Sequence, residues 1–80
     1  MQVSNREESM IGPEQLANWF TYHPPKPEQL PKYLAIRDAG LAFAAVVVNN
    51  TPASADQTAA IRKIREAVMT ANQSIACDGK

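Results

Sequence analysis

Apolar side chains recur along this chain at alternating spacings of three and four. From Tyr33 the series continues through Ile36, Gly40, Phe43 and Val47, and from Ile61 through Ile64, Val68, Ala71 and Ile75. That period places each series on one side of an α-helix, so the pattern predicts two seams that face each other. The first long helix begins between Pro27 and Pro31 and stops near Asn49, at Asn49-Asn50-Thr51-Pro52, because proline supplies no backbone donor and cannot continue a helix. The second opens at Pro52-Ala53-Ser54-Ala55-Asp56-Gln57. Ser54 and Gln57 have the spacing of a capping box, and Asp56 places negative charge at the positive end of the helix dipole. This helix is expected to run to about Ala76, a length of about 33 Å. Two such helices joined by a turn of roughly five residues form an antiparallel hairpin. The run Val46-Val47-Val48 suits a strand locally, but the longer helical period overrides it.

A second apolar stripe, Leu34, Leu41, Ala45 and Val48, is left over on the first long helix. One antiparallel partner cannot cover both stripes, so the pattern predicts assembly into an oligomer. Gly40 inside a helix costs about 1 kcal/mol against alanine. With Ala39, Ala42, Ala44 and Ala45 around it, the glycine predicts close approach of another backbone.

Upstream, Gly12-Pro13-Glu14 has the form of a helix start. Leu16, Trp19 and Phe20 then share one face of a short helix, expected to lie as a clasp over the hairpin core. The connector Thr21-Tyr22-His23-Pro24-Pro25-Lys26-Pro27 holds three prolines and is predicted to be stiff and extended. The expected architecture is all-α: a short N-terminal helix followed by a hairpin of two long antiparallel helices, assembling as an oligomer. Residues 1–10 read as a polar tail and residues 11–80 as the helical-hairpin domain.

Eighty residues are few for a private core, and chains of this size often rely on association. A composition of 45% hydrophobic and 20% charged residues argues against wholesale disorder. Eight basic residues balance eight acidic ones, which disfavours long nucleic acid or an anionic membrane surface as partner. The longest apolar run, Leu41–Val48, is too short to cross a bilayer, and the polar start lacks the apolar core of a signal peptide. The single cysteine, Cys77, cannot form an internal disulfide, which suits a reducing cytoplasm.

Little in the sequence suggests catalysis. A metal site needs several His, Cys or carboxylate ligands converging, and the one histidine and one cysteine both lie near segment ends. Neither H-E-x-x-H nor C-x-x-C occurs, and Gly12, Gly40 and Gly79 are too dispersed for a phosphate loop. A binding protein without catalytic residues, metal or cofactor is therefore expected. Tyr22 and Tyr33 offer flat rings, while Lys26 and Arg37 offer positive charge near the start of the hairpin. Arg37 lies one turn beyond Tyr33 on the same helix face. Rings beside cations suit a nucleotide: a stacked base contributes about 1–3 kcal/mol, and a charge-assisted hydrogen bond to phosphate about 1.5–3 kcal/mol. On the last helix Arg62, Lys63 and Arg65 surround Glu66, the pattern of a solvated face. Arg65 and Asn72 share the flank of the seam with Met69 between them and Thr70 nearby, which suits an interface or a second anion site.

Four segments taken in order resemble a known family. Thr21-Tyr22-His23-Pro24-Pro25, Tyr33-x-x-Ile36-Arg37, Pro52-x-Ser54 and Arg65-Glu66-Ala67-Val68-Met69-x-Ala71-Asn72-x-x-Ile75-Ala76 are similar to the phage anti-CBASS proteins that sequester cyclic nucleotides. Those proteins share a helical hairpin with the sponges that counter Thoeris signalling. The resemblance covers roughly residues 20–77. It implies a protein of the infected bacterial cytoplasm that binds cyclic oligonucleotide alarm signals without cleaving them. It also implies compact hexamers, with cyclic dinucleotide pockets between protomers and separate pockets for cyclic trinucleotides. On this resemblance Tyr22 would stack on a base and Arg37 would bind phosphate, with His23 and Lys26 in support. Arg65, Thr70 and Asn72 would belong to the second pocket, where many members carry a tryptophan in place of Thr70. The competing reading is a structural or adaptor hairpin that binds another protein through its second stripe.

Overall fold

The computed structural model describes residues 11–80, and the polar tail expected over residues 1–10 lies outside them. Three helices follow in order: α1 (Pro13–Trp19), α2 (Leu30–Asn50) and α3 (Ala55–Ala76), with a single 3-10 turn (Pro27–Gln29) leading into α2. Gly12 is extended at the head of α1, and Pro13 takes the first helical position, where its missing N–H costs nothing. At the 3-10 turn, Gln29 Oε1 accepts from the Lys26 N–H at 2.9 Å, and the Gln29 N–H donates to the Lys26 carbonyl at 2.9 Å. The proline-rich stretch thereby winds directly into the helix. No strand occurs among the described residues.

The turn between the long helices is held by side chains bonding to backbone carbonyls in and just beyond the last turn of α2, most of which a helix end leaves unpaired. Asn50 Nδ2 donates to the Val46 carbonyl at 2.8 Å, and Thr51 Oγ1 to the Val47 carbonyl at 2.7 Å. Ser54 Oγ caps α3 by accepting from the Gln57 N–H at 3.1 Å. The other half of the expected capping box is replaced. Gln57 Nε2 reaches across the turn to the Val48 carbonyl at 3.4 Å, and to the Thr51 carbonyl and hydroxyl at 3.1 Å each. The tight turn brings those acceptors within reach of an amide donor. At the far end of α3, Gly79 N–H donates to the Ser74 carbonyl at 2.8 Å and Asp78 N–H to that of Ile75 at 3.1 Å. This is a Schellman arrangement, with Asp78 and Gly79 both left-handed at φ 57° and 73°.

The two long helices pack along the expected seam. Tyr33, Ile36, Gly40 and Val47 of α2, and Ile61, Ile64, Val68, Ala71 and Ile75 of α3, are all half-buried. One member of the expected seam is replaced: Phe43 is 58% exposed and Ala44 is half-buried in its stead. A step of four residues from Gly40 places Ala44 in the closer contact, and the Phe43 ring lies at the open side of the seam, where it lines the trough between the helices. A Cβ added at Gly40 would lie 2.6 Å from Val68 Cγ2. The glycine is thus a point of close approach to α3, as its alanine-rich surroundings predict.

The apolar side chains of α3 are concentrated on one face, whereas those of α2 surround the helix. Leu34, Ala45 and Val48 are exposed and Leu41 is 71% exposed, so the second stripe is uncovered within one chain. The chain spreads over 45 × 41 × 14 Å, a slab little thicker than one helix with its side chains. Its radius of gyration is 16.8 Å, against about 12 Å for a compact chain of this length. The expected clasp is corrected. Leu16 and Trp19 keep nearly half of their surface exposed and Phe20 is 84% exposed. Helix α1 docks at the C-terminal end of α3 through polar bonds and leaves the apolar face of the hairpin uncovered.

The Gly40–Val68 contact generates a test. At an open helix position Gly40→Ala would add about 1 kcal/mol of stability. Here the added methyl meets a branched side chain that is stiff within a helix, and overpacking costs about 1–3 kcal/mol. Urea unfolding is expected to show Gly40→Ala destabilised, and Gly40→Ala combined with Val68→Ala more stable than the sum of the single effects.

Candidate functional site

The connector leaves α1 under tight local control. Thr21 Oγ1 donates back to the Ala17 carbonyl. Two residues later, His23 Nε2 donates to the Asn18 carbonyl at 2.7 Å. Pro24, Pro25 and Pro27 then restrict the backbone up to the 3-10 turn. The segment carrying Tyr22 is therefore bracketed by two side chains that both return to α1.

Asn18 and Trp19, at the end of α1, meet the end of α3 in a polar cap around Cys77. Cys77 is 4% exposed and is the buried residue among those described. Its thiol donates to the Asn18 carbonyl at 3.7 Å and accepts from Gln73 Nε2 at 3.1 Å. Gln73 Nε2 also reaches the Trp19 carbonyl at 3.3 Å, and Asn18 Nδ2 donates to the Cys77 carbonyl at 3.4 Å. Gln15 Nε2 bonds the Lys80 carbonyl, and Gln29 Nε2 the Ile75 carbonyl at 3.3 Å. Backbone carbonyls at segment ends lack helical partners, and here side-chain amides supply the donors. Beside the cap is a cavity of about 500 Å³, lined in part by Asn18, His23, Lys26, Cys77, Asp78 and Lys80.

The candidate ligand residues are distributed over this framework. His23 and Lys26 come together at the end cavity. Tyr22 is 81% exposed and Arg37 is exposed on α2, and neither lines the end cavity. Tyr33 is half-buried in the seam. Of the second set, Arg65 and Thr70 are exposed on α3, while Asn72 is half-buried. The Asn72 Oδ1 atom is buried and has no hydrogen-bond donor among the described residues, an arrangement that costs free energy unless a partner supplies one.

A second cavity of about 580 Å³ is a trough between the long helices, lined by Ala39, Phe43, Val47, Ile64 and Ala67 with Lys63 at its rim. Its walls are nearly all apolar and hold no nucleophile paired with a base. Among the described residues, no group of three or more His, Cys, Asp or Glu could hold a metal ion, and no helix is long and apolar enough to cross a membrane.

Sequence reasoning missed the parts that Asn18, Gln29, Gln73 and Cys77 play in the cap. The available signal was a set of amide side chains beside proline-broken and helix-terminal segments, where carbonyls need donors. That signal does not identify which amide meets which carbonyl.

The Acb2/Tad1 hairpin domain family matches residues 12–76 of this chain, a span that includes α1, the connector and both long helices. No curated protein and no solved structure matches it.

Gln73→Ala removes the donor shared by Trp19 and Cys77. Each lost hydrogen bond is worth about 1 kcal/mol, so opening of α1 should become roughly five- to tenfold more frequent while the hairpin stays closed. Amide hydrogen exchange checks this: residues 13–19 should lose protection and the centres of α2 and α3 should keep theirs.

Proposed function

The chain belongs to the Acb2/Tad1 hairpin domain family, and from that premise we propose that it is a phage anti-defence sponge. It binds cyclic oligonucleotide second messengers, cyclic dinucleotides and also trinucleotides, and withholds them from CBASS effectors without cleaving them. The observation that carries this reading is the family match over residues 12–76. Chemistry supports it. Tyr22 is an exposed ring on a stiffened segment, and Arg37 is an exposed cation one turn from Tyr33. Stacking contributes about 1–3 kcal/mol per base, and a cation bonded to phosphate about 1.5–3 kcal/mol.

In this reading Tyr22 is the stacking platform and Arg37 the phosphate partner, with Lys26 adding charge. Arg65, Thr70 and Asn72 form the second pocket, where the unpaired Asn72 oxygen accepts from a ligand or a neighbouring protomer. The pockets close only when copies meet, as hexamers. The uncovered stripe on α2 supports this, since a helix that is apolar all round must be buried. The protein works in the cytoplasm of the infected bacterium and does not turn its ligand over.

Thermal unfolding with a panel of cyclic dinucleotides and cyclic triadenylate tests the reading. A ligand at about one hundred times its dissociation constant adds about 2.7 kcal/mol, and ligand released by denaturation should be chromatographically intact. Tyr22→Ala and Arg37→Ala should each weaken binding of cyclic dinucleotides roughly 5- to 150-fold without loss of helicity. Silence across the panel favours a protein-binding adaptor, and linear product that accumulates with protein identifies an enzyme.

Assembly has its own test. Light scattering should report a particle several times the 8.7 kDa of one chain, and Leu41→Glu, in the uncovered stripe, should shift the population towards monomer. A stable monomer at micromolar concentration would remove the basis for shared pockets.

A further inference from the structure

His23 bonds to the protein's own backbone. Its Nε2 atom donates to the Asn18 carbonyl at 2.7 Å, and the ring is half-buried. The same carbonyl accepts from the Cys77 thiol at 3.7 Å, so the Asn18 peptide is anchored to the end of α3. Tyr22 precedes His23 directly, and its own ring is 81% exposed, with no packing of its own to fix the backbone beneath it. A short route of bonds therefore runs from α3 through Cys77 and the Asn18 carbonyl to His23, and by one peptide to Tyr22.

We propose that His23 is a positioning residue, which holds the Tyr22 platform in register for a stacked base and itself touches no ligand. The proposal rests on the sponge reading above and deepens it. Stacking depends on where the ring sits, so holding the connector removes an ordering cost at the moment of binding. Pro24 and Pro25 restrict the chain on the C-terminal side of His23, and the His23–Asn18 bond sets it on the other. Without that bond only the Thr21 hydroxyl ties the start of the segment back to α1, and the backbone at Tyr22 gains freedom.

A double-mutant cycle distinguishes positioning from contact. Affinities for cyclic GMP-AMP are measured on the parent, Tyr22→Ala, His23→Ala and the double variant, with thermal midpoints and particle sizes recorded for each. His23→Ala is expected to weaken binding roughly five- to tenfold, the scale of one hydrogen bond, with helicity and particle size unchanged. In the Tyr22→Ala background the same change should have no further effect, because His23 acts only through that ring. His23→Gln, which keeps a side-chain donor, should recover part of the loss. The proposal is overturned if His23→Ala binds as the parent does, if the two losses add, or if the affinity loss tracks a fall in particle size or thermal midpoint. A parent that binds neither this probe nor any other cyclic nucleotide overturns the sponge reading itself, whereas a parent that binds tightly and ignores His23→Ala overturns the positioning role alone.

Discussion

The close approach of α2 and α3 at Gly40 is the constraint on which the rest of the structure depends. With no Cβ at Gly40, Val68 can enter the space beside the helix axis. Tyr33, Ile36 and Val47 then meet the α3 seam along the length of the hairpin. The contact is narrow, however. It covers one side of α2, while apolar side chains surround that helix. Leu34, Leu41, Phe43, Val46 and Val48 therefore stay more than half exposed in the single chain, and the slab is only 14 Å thick. Hydrophobic burial, the main favourable term in folding, is accordingly limited within one copy. This is the physical ground for expecting copies to associate.

The ends of the hairpin are held by different means from its middle. At the closed end, Ser54 caps α3 and Gln57 braces the turn through Val48 and Thr51. At the open end, amides of Asn18, Gln29 and Gln73 meet the backbone carbonyls around the buried Cys77. Both ends satisfy carbonyls that helix termini leave without partners. The polar cap has the further consequence of docking α1 and directing the proline-stiffened connector. Tyr22 is thereby presented on the outside of a braced segment, a suitable arrangement for a ring that must accept a flat ligand without first being ordered.

The candidate site was partly legible. The sequence points to Tyr22, His23, Lys26 and Arg37 as rings and charges near the start of the hairpin, and the structure sorts them by environment. His23 turns inward to the Asn18 carbonyl, Lys26 joins it at the end cavity, and Tyr22 and Arg37 remain on the surface. Residue type alone does not distinguish a histidine that meets a ligand from one that pins a backbone. Asn72 was similarly legible as a polar residue on the flank of the seam, but only packing shows that its side-chain oxygen is buried without a donor among the described residues.

The sequence by itself determined the two long helices, their facing seams, the proline boundaries and the uncovered stripe. These follow from local period and from backbone chemistry that each residue carries with it. The family resemblance was likewise present in the order of short motifs. The tertiary structure decided what depends on residues far apart in the chain. Ala44 is more buried than Phe43, which lines the open trough beside the seam, because the position of α3 sets which side of α2 is inward. Gln57 bonds across the turn, because the turn brings acceptors to it. Helix α1 docks by polar bonds at the end of α3 rather than lying over the hairpin. Asn18 and Cys77 are separated by most of the chain, and no spacing rule relates them. Their contact exists only because the fold returns α3 to where α1 ends, leaving unpaired carbonyls and amide donors within hydrogen-bond distance of one another.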